Sequence, residues 1–166
     1  MPNRFYHWIR HPSARSTASE ERTVSGFDHL RGHKYCLLVT YKRSGEAVPA
    51  PVWFGLRDGK LCVRSEANVA KVRRIRNDAR VRVAPCTVRG KPLGLPVEGR
   101  AQVLDQAGDR EQAEAALQAN YGLAARSMKE PVGRLDRSLW TIASARSPEW
   151  DGSDSLERRV GKRFEC

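Results

Sequence analysis

The run Arg64-Ser65-Glu66-Ala67-Asn68-Val69-Ala70-Lys71-Val72-Arg73-Arg74-Ile75-Arg76 concentrates the residue types that hold anions. Val69, Val72 and Ile75 recur every three residues, as the buried stripe of a helix does. Lys71 and Arg74, three apart, then leave one flank of that helix together, and Arg73 and Arg76 leave the other. A strand ending at Arg64–Ser65 brings a hydroxyl and a guanidinium up to the first turn, whose backbone N–H groups lack intrahelical acceptors. Ser65, Lys71 and Arg74 together make a phosphate cradle, and Arg64 can add a bidentate clamp. The same spacing also describes a solvated basic face on a surface helix, a common use of such a pattern.

The charge balance calls for an anionic partner. The 166-residue chain carries 30 Lys and Arg against 19 Asp and Glu, a formal net charge of +11. That predicts affinity for nucleic acid, an acidic membrane surface or a phosphorylated small molecule. Residues 57–100 hold twelve Lys or Arg and four acids, so +8 of the excess surrounds the candidate cradle. Nucleic-acid binding is the disfavoured reading, because the segment lacks the exposed aromatics on which single-strand binders stack bases.

Other chemistries find little support. All four histidines, His7, His11, His29 and His33, lie in the first 33 residues, and no GxSxG elbow is present. His29 and His33 have the four-residue spacing of helical metal ligands, but Gly32 weakens such a helix and no third ligand is evident. They read as two surface histidines before a strand, so no metal is expected. No GxGxxG or GxxxxGK[ST] occurs. Glu98 and Asp105 are isolated carboxylates, and Glu98 can sit beside an arginine on a sheet surface. With no acid–base pair to assign as catalytic, a cofactor must carry any redox chemistry while the protein supplies shape and charge. Cys36, Cys62, Cys86 and Cys166 are scattered with no CxxC, which points to reduced thiols in a cytoplasmic chain. No apolar run approaches the length of a membrane span. Arg4 and Arg10 stand where a signal peptide needs its apolar core.

The elements that must position the cradle read mostly as strands. Tyr35–Lys42 is rich in β-branched and aromatic residues and ends at the turn Arg43-Ser44-Gly45-Glu46. Val48–Arg57 follows, with Pro49 and Pro51 confining its start to an edge or bulge. Asp58-Gly59 is a hairpin turn returning into Leu61–Arg64. Arg80–Cys86 alternates basic and apolar residues, as a half-buried strand does. Val97–Leu104 and Ser138–Ala143 complete a set of six. One helix is expected from Asn68 to Asn77, capped by Asn68 or Ser65. A second is expected from Arg110 to Tyr121, with Asp109 and Gln112 as a capping box and Gly122 as its stop. Ala113, Ala116, Leu117 and Tyr121 share one face of it. Residues 1–26 are polar, basic and aperiodic and read as a disordered or loosely packed arm. Residues 27–145 form the organised domain and 146–166 a tail.

Several segments resemble one known family. They are Gly32–Thr40 (GHKYCLLVT), Val48–Phe54 (VPAPVWF), Asp58-Gly59-Lys60-Leu61, Lys71–Asp78 (KVRRIRND) and Arg82–Cys86 (RVAPC). In this order they resemble the pyridoxamine 5'-phosphate oxidase-like split β-barrel oxidoreductases, and within them the branch that uses coenzyme F420. The resemblance spans Phe27–Ala143. It implies a mainly β, α+β fold: a six-stranded Greek-key split β-barrel with two helices, of the FMN-binding split-barrel type. It also implies a homodimer with the cofactor at its interface. Pro51, Val52 and Trp53 would shape the ring site, and Arg64, Ser65, Lys71, Val72 and Arg74 would surround the phosphate. F420 carries a phosphodiester and a polyglutamate tail, whereas FMN carries one phosphate, so the excess charge favours F420. The implied activity is hydride transfer from the reduced deazaflavin to an unsaturated or electrophilic small molecule. The alternatives are an FMN-dependent oxidoreductase of the same fold and a non-catalytic carrier of flavin, haem or F420. Residues 1–26 and those after Ala143 depart from the family's compact form.

Overall fold

The computed structural model describes residues 11–66, 69–104, 106–122 and 137–144. Seven antiparallel strands form one sheet: β1 (Tyr35–Tyr41), β2 (Ala47–Val52), β3 (Phe54–Arg57), β4 (Lys60–Glu66), β5 (Arg80–Cys86), β6 (Val97–Leu104) and β7 (Arg137–Ser144). Their order across the sheet is β2-β1-β5-β6-β7-β4-β3. The two edge strands, β2 and β3, are joined through the single residue Trp53. The sheet must therefore curl until its edges nearly meet, which is the split-barrel architecture.

Six expected strands become seven because Val48–Arg57 breaks. The chain pairs with β1 as far as Val52, opposite Cys36, and pairs with β4 from Phe54, opposite Val63. Prolines 49 and 51 are tolerated because β2 is an edge. At the hairpin, Asp58 and Gly59 take φ of 51° and 70°, the left-handed conformations that a two-residue turn requires.

Alternation along the strands divides the core in two. Leu38, Val52, Phe54, Leu61, Val63, Val81, Val83 and Val97 fill the barrel. Helix α2 (Ala70–Asn77) closes it with Val72 and Ile75, which are 0% and 3% exposed. Helix α3 (Ala107–Tyr121) lies on the outer face of β3 and β4, burying Ala113, Ala116, Leu117 and Tyr121 with Cys62 and Leu104. Both expected helices are present, with corrected starts. Val69, not Asn68 or Ser65, occupies the N-cap of α2 and makes no side-chain cap bond. Ser65 lies inside β4, and Asn68 is outside the described residues. α3 begins three residues before Arg110, with Gln106 at its N-cap and no side-chain cap, so the Asp109–Gln112 box is not formed. Gly122 ends α3 at φ 54°.

The loose arm is corrected over residues 11–26. A 3-10 turn at Pro12–Arg15 packs on β2, and α1 (Ser16–Ser19) packs on β5 and β2. Ala14 is buried with Leu37 and Cys86. Arg82 holds the segment: its Nη1 donates to the carbonyls of Ala18 at 2.9 Å and Glu20 at 2.7 Å, and its Nη2 to Glu98 at 2.6 Å. Glu98 does sit beside an arginine. The tail 146–166 is outside the described residues, and among those described no helix is long and apolar enough to cross a membrane.

Candidate functional site

The segment around the β2–β3 break is held by hydrogen bonds with the end of α3. Phe54 N–H donates to Tyr121 Oη at 2.9 Å, and Asn120 Nδ2 donates to the Phe54 carbonyl at 2.9 Å. Tyr121 Oη in turn donates to the Lys34 carbonyl. One turn of α3 therefore ties β3 to the residue preceding β1. Burial pushes the Tyr121 phenol up to about 12, so it stays a neutral donor. The Trp53 ring lies 4.4 Å from that of Tyr121 and 5.8 Å from that of Tyr35, edge-on to the latter. Lys34 Nζ sits 5.6 Å over the Tyr121 ring. Tyr121→Phe removes the partner of a buried N–H and of a carbonyl, so we expect a loss of about 2 kcal/mol in denaturant unfolding with the fold retained.

Three expected ring-site residues part company here. Val52 is 5% exposed and packs in the barrel core. Pro51 lies on the opposite face of β2, with Gly90 next to its ring. Trp53 is half-buried against α3 and its aromatic neighbours. The outer face thus holds Pro51 and Trp53 without Val52.

The expected phosphate residues are also redistributed. Successive strand residues face opposite sides of the sheet, so Arg64 and Ser65 diverge. Arg64 faces α3, where Nη1 reaches both carboxylate oxygens of Glu114 at 3.2 Å, with only 18% of its side chain exposed. Its charge is already matched inside the chain. Ser65 is half-buried on the other face, near the end of β4. Val72 is fully buried in the core, and its N–H donates to the Val69 carbonyl at 3.1 Å. Arg74 Nε donates to Thr40 Oγ1 on β1 at 2.8 Å, which fixes the guanidinium over the barrel end that α2 covers. Lys71, like Arg74, is half-buried on one flank of α2, while Arg73 and Arg76 are exposed on the other. The two expected pairs of cations are therefore distinct in environment. The sequence marks Tyr121 only as part of a helix face, and it does not mark Asn120, Glu114 or Thr40. Their contacts span 34 to 87 residues, and no local pattern encodes such contacts.

The described thiols lie in the interior. Cys36, Cys62 and Cys86 are buried and form no disulfide among the described residues. Burial pushes Cys86 up to about 12 and Cys36 well above the ordinary thiol value, so neither supplies a thiolate at neutral pH.

A cavity of about 420 Å³ opens elsewhere, on the α3 face, between the β3–β4 hairpin, β6 and the first turns of α3. It is at the opposite end of β4 from Ser65.

Comparison with known proteins agrees with this architecture. The family model described as pyridoxamine 5'-phosphate oxidase matches residues 27–151. No curated protein matches the chain. Among solved structures, an FAD-binding protein from Mesorhizobium loti is 21% identical, over 69% of this chain and 83% of that one, with a TM-score of 0.52. A haem storage protein from Vibrio cholerae is 12% identical over 72% of this chain and 87% of its own, with a TM-score of 0.56. A haem-binding protein from Mycobacterium smegmatis is 18% identical over 81% of this chain and 52% of its own, with a TM-score of 0.52. At these identities the likeness is one of fold.

Proposed function

The chain belongs to the pyridoxamine 5'-phosphate oxidase family, and from that premise we propose that it is an oxidoreductase that binds coenzyme F420. The observation that carries this reading is the flank of α2: Lys71 and Arg74 are half-buried on one side of it, in a stretch holding +8 of the chain's net charge. Two cations and the Ser65 hydroxyl are the donor set a phosphodiester needs. FMN, with its single phosphate, needs less positive surface.

Lys71 and Arg74 would hold the phosphate, with Thr40 keeping the Arg74 guanidinium in place. Arg64 would join them only by releasing Glu114, so its role is support. Pro51 and Trp53 would border the ring, and the Tyr121–Asn120 tether would keep their segment from shifting. Val52 and Val72 maintain the two supporting elements through the core. When bound and reduced, F420 supplies a hydride to an unsaturated or electrophilic small molecule. No described side chain is assigned as proton donor, and solvent serves. A homodimer would complete the site from its partner's surface, in a cytoplasmic setting.

A second reading is favoured by the FAD- and haem-binding names of the structural neighbours. It is a carrier that holds a flavin, haem or F420 without turnover. Mixing the chain with reduced F420 and a panel of enone acceptors separates the two. Oxidation of the cofactor that depends on both chain and acceptor is expected. Saturable cofactor binding with no oxidation by any acceptor selects the carrier.

A further inference from the structure

The chain between β5 and β6 doubles back as a small hairpin. Leu93 N–H donates to the Pro85 carbonyl at 2.8 Å, Cys86 pairs with Pro92, and Thr87 N–H donates to the Lys91 carbonyl at 3.0 Å. Gly90, at φ 79°, makes the turn, and a Cβ there would lie 3.3 Å from Leu37 Cδ1 and 3.8 Å from the Ala14 Cβ. The backbone of the hairpin is thus tied to the sheet, while several of its side chains are not covered. Val88 is 61% exposed and Leu93 51%, and among the described residues these are the two large apolar side chains left exposed. Single exposed apolar residues are ordinary on a protein surface, but two on one hairpin form a patch. Arg89 and Lys91 are exposed beside them. Lys91 and Leu93 flank the paired Pro92, so they leave the same side of the hairpin.

A second segment meets the hairpin. His11 N–H donates to the Arg89 carbonyl at 2.8 Å, so residues 1–10 join the described structure at this point. Those ten residues are outside the described ones. Their sequence contains Phe5, Tyr6, Trp8 and Ile9 together with Arg4 and Arg10. Residues 1–10 and 85–97 together hold four Lys or Arg and no Asp or Glu. Apolar and aromatic groups interspersed with cations, without acids, suit the boundary of an anionic bilayer. The apolar groups enter the zone between headgroups and acyl chains, and the cationic heads stay with the lipid phosphates and carboxylates.

We propose that the β5–β6 hairpin, with the segment that meets it at His11, docks this protein on the surface of an anionic bilayer. Val88 and Leu93 enter the headgroup boundary, and Arg89 and Lys91 face the lipid anions. Charge argues against a second copy as the occupant. A two-fold contact sets the same patch against itself and would bring these cations face to face. The contact is peripheral, and it does not depend on which ring cofactor the barrel holds.

The test is flotation of the full chain with two kinds of vesicle, pure phosphatidylcholine and equal parts phosphatidylcholine and phosphatidylserine, at low and at high salt. Binding to the mixed vesicles and not to the neutral ones is expected, and it should weaken as salt rises. Arg89→Gln and Lys91→Gln should each weaken partitioning about fivefold. Val88→Ser combined with Leu93→Ser should weaken it about tenfold or more at both salt levels, because apolar contact is not screened. Arg73→Gln combined with Arg76→Gln removes two exposed cations from α2 instead and should leave binding nearly unchanged. Melting curves that match the parent's show that each variant is folded. No binding to the mixed vesicles overturns the proposal, and so does binding that the hairpin variants leave intact. Equal weakening by the α2 pair would assign the effect to net charge alone and overturns it too. So does a smaller oligomer in the Val88→Ser, Leu93→Ser variant, which would assign the hairpin to a contact between copies.

Discussion

Gly55→Ala should lower the melting temperature of the chain by about 6–12 °C. A Cβ at residue 55 would lie 2.3 Å from the Ala116 carbonyl carbon and 2.6 Å from the Leu117 nitrogen. Both are backbone atoms in the middle of α3, so no rotamer change can make room. α3 would have to lift from β3, and its buried face (Ala113, Ala116, Leu117 and Tyr121) would lose contact with Cys62 and Trp53. Overpacking of a close-packed contact costs about 1–3 kcal/mol, and a clash with rigid backbone belongs at the upper end. At this chain length 3 kcal/mol corresponds to about 6–12 °C. Differential scanning calorimetry checks it. A shift under about 2 °C would mean that α3 does not press on β3 as described. The same substitution should loosen the Tyr121–Phe54 and Asn120–Phe54 bonds, so near-ultraviolet circular dichroism of the Trp53 cluster should weaken with it.

Lys71→Ala should raise the dissociation constant for F420 by about 10- to 150-fold while leaving the melting temperature within a few degrees. A hydrogen bond between two charged groups is worth about 1.5–3 kcal/mol, which converts to that range. Stability should change little because Lys71 is on the flank of α2, while Val72 and Ile75 bury that helix in the barrel. The parent chain's affinity should fall as salt rises, since partly exposed cations are screened. The variant should show a shallower salt slope, because one ion contact is gone. Cofactor titration at two ionic strengths checks both expectations. An unchanged dissociation constant would remove Lys71 from the site and leave the basic flank as a solvated face.

Much of the scaffold was legible in the residues because it rests on period. Strand alternation in Arg80–Cys86 put Val81 and Val83 inward and Arg80 and Arg82 outward, as found. The Val69–Val72–Ile75 spacing and the Ala113–Tyr121 face marked the buried sides of α2 and α3. What escaped depends on contacts that no local pattern encodes. The break at Trp53 exists because Tyr121 and Asn120, 66 or 67 residues later, capture the Phe54 peptide. The docking of residues 11–26 rests on Arg82 binding the carbonyls of Ala18 and Glu20, a contact indifferent to the side chains there. The pairing of Arg64 with Glu114, 50 residues away, likewise leaves no local mark in the sequence. Val52 and Val72, expected at the ring and phosphate sites, are turned toward the core by strand and helix periodicity.

The proposed function turns on whether the α2 flank grips the acidic handle of a deazaflavin. The most direct measurement is a fluorescence titration of the purified chain with F420 and with FMN, in one buffer at one ionic strength. Saturable F420 binding at one equivalent per chain is expected, with a dissociation constant below that for FMN and a gap that narrows as salt is added. Equal or tighter binding of FMN, or no saturable binding of either, would contradict it.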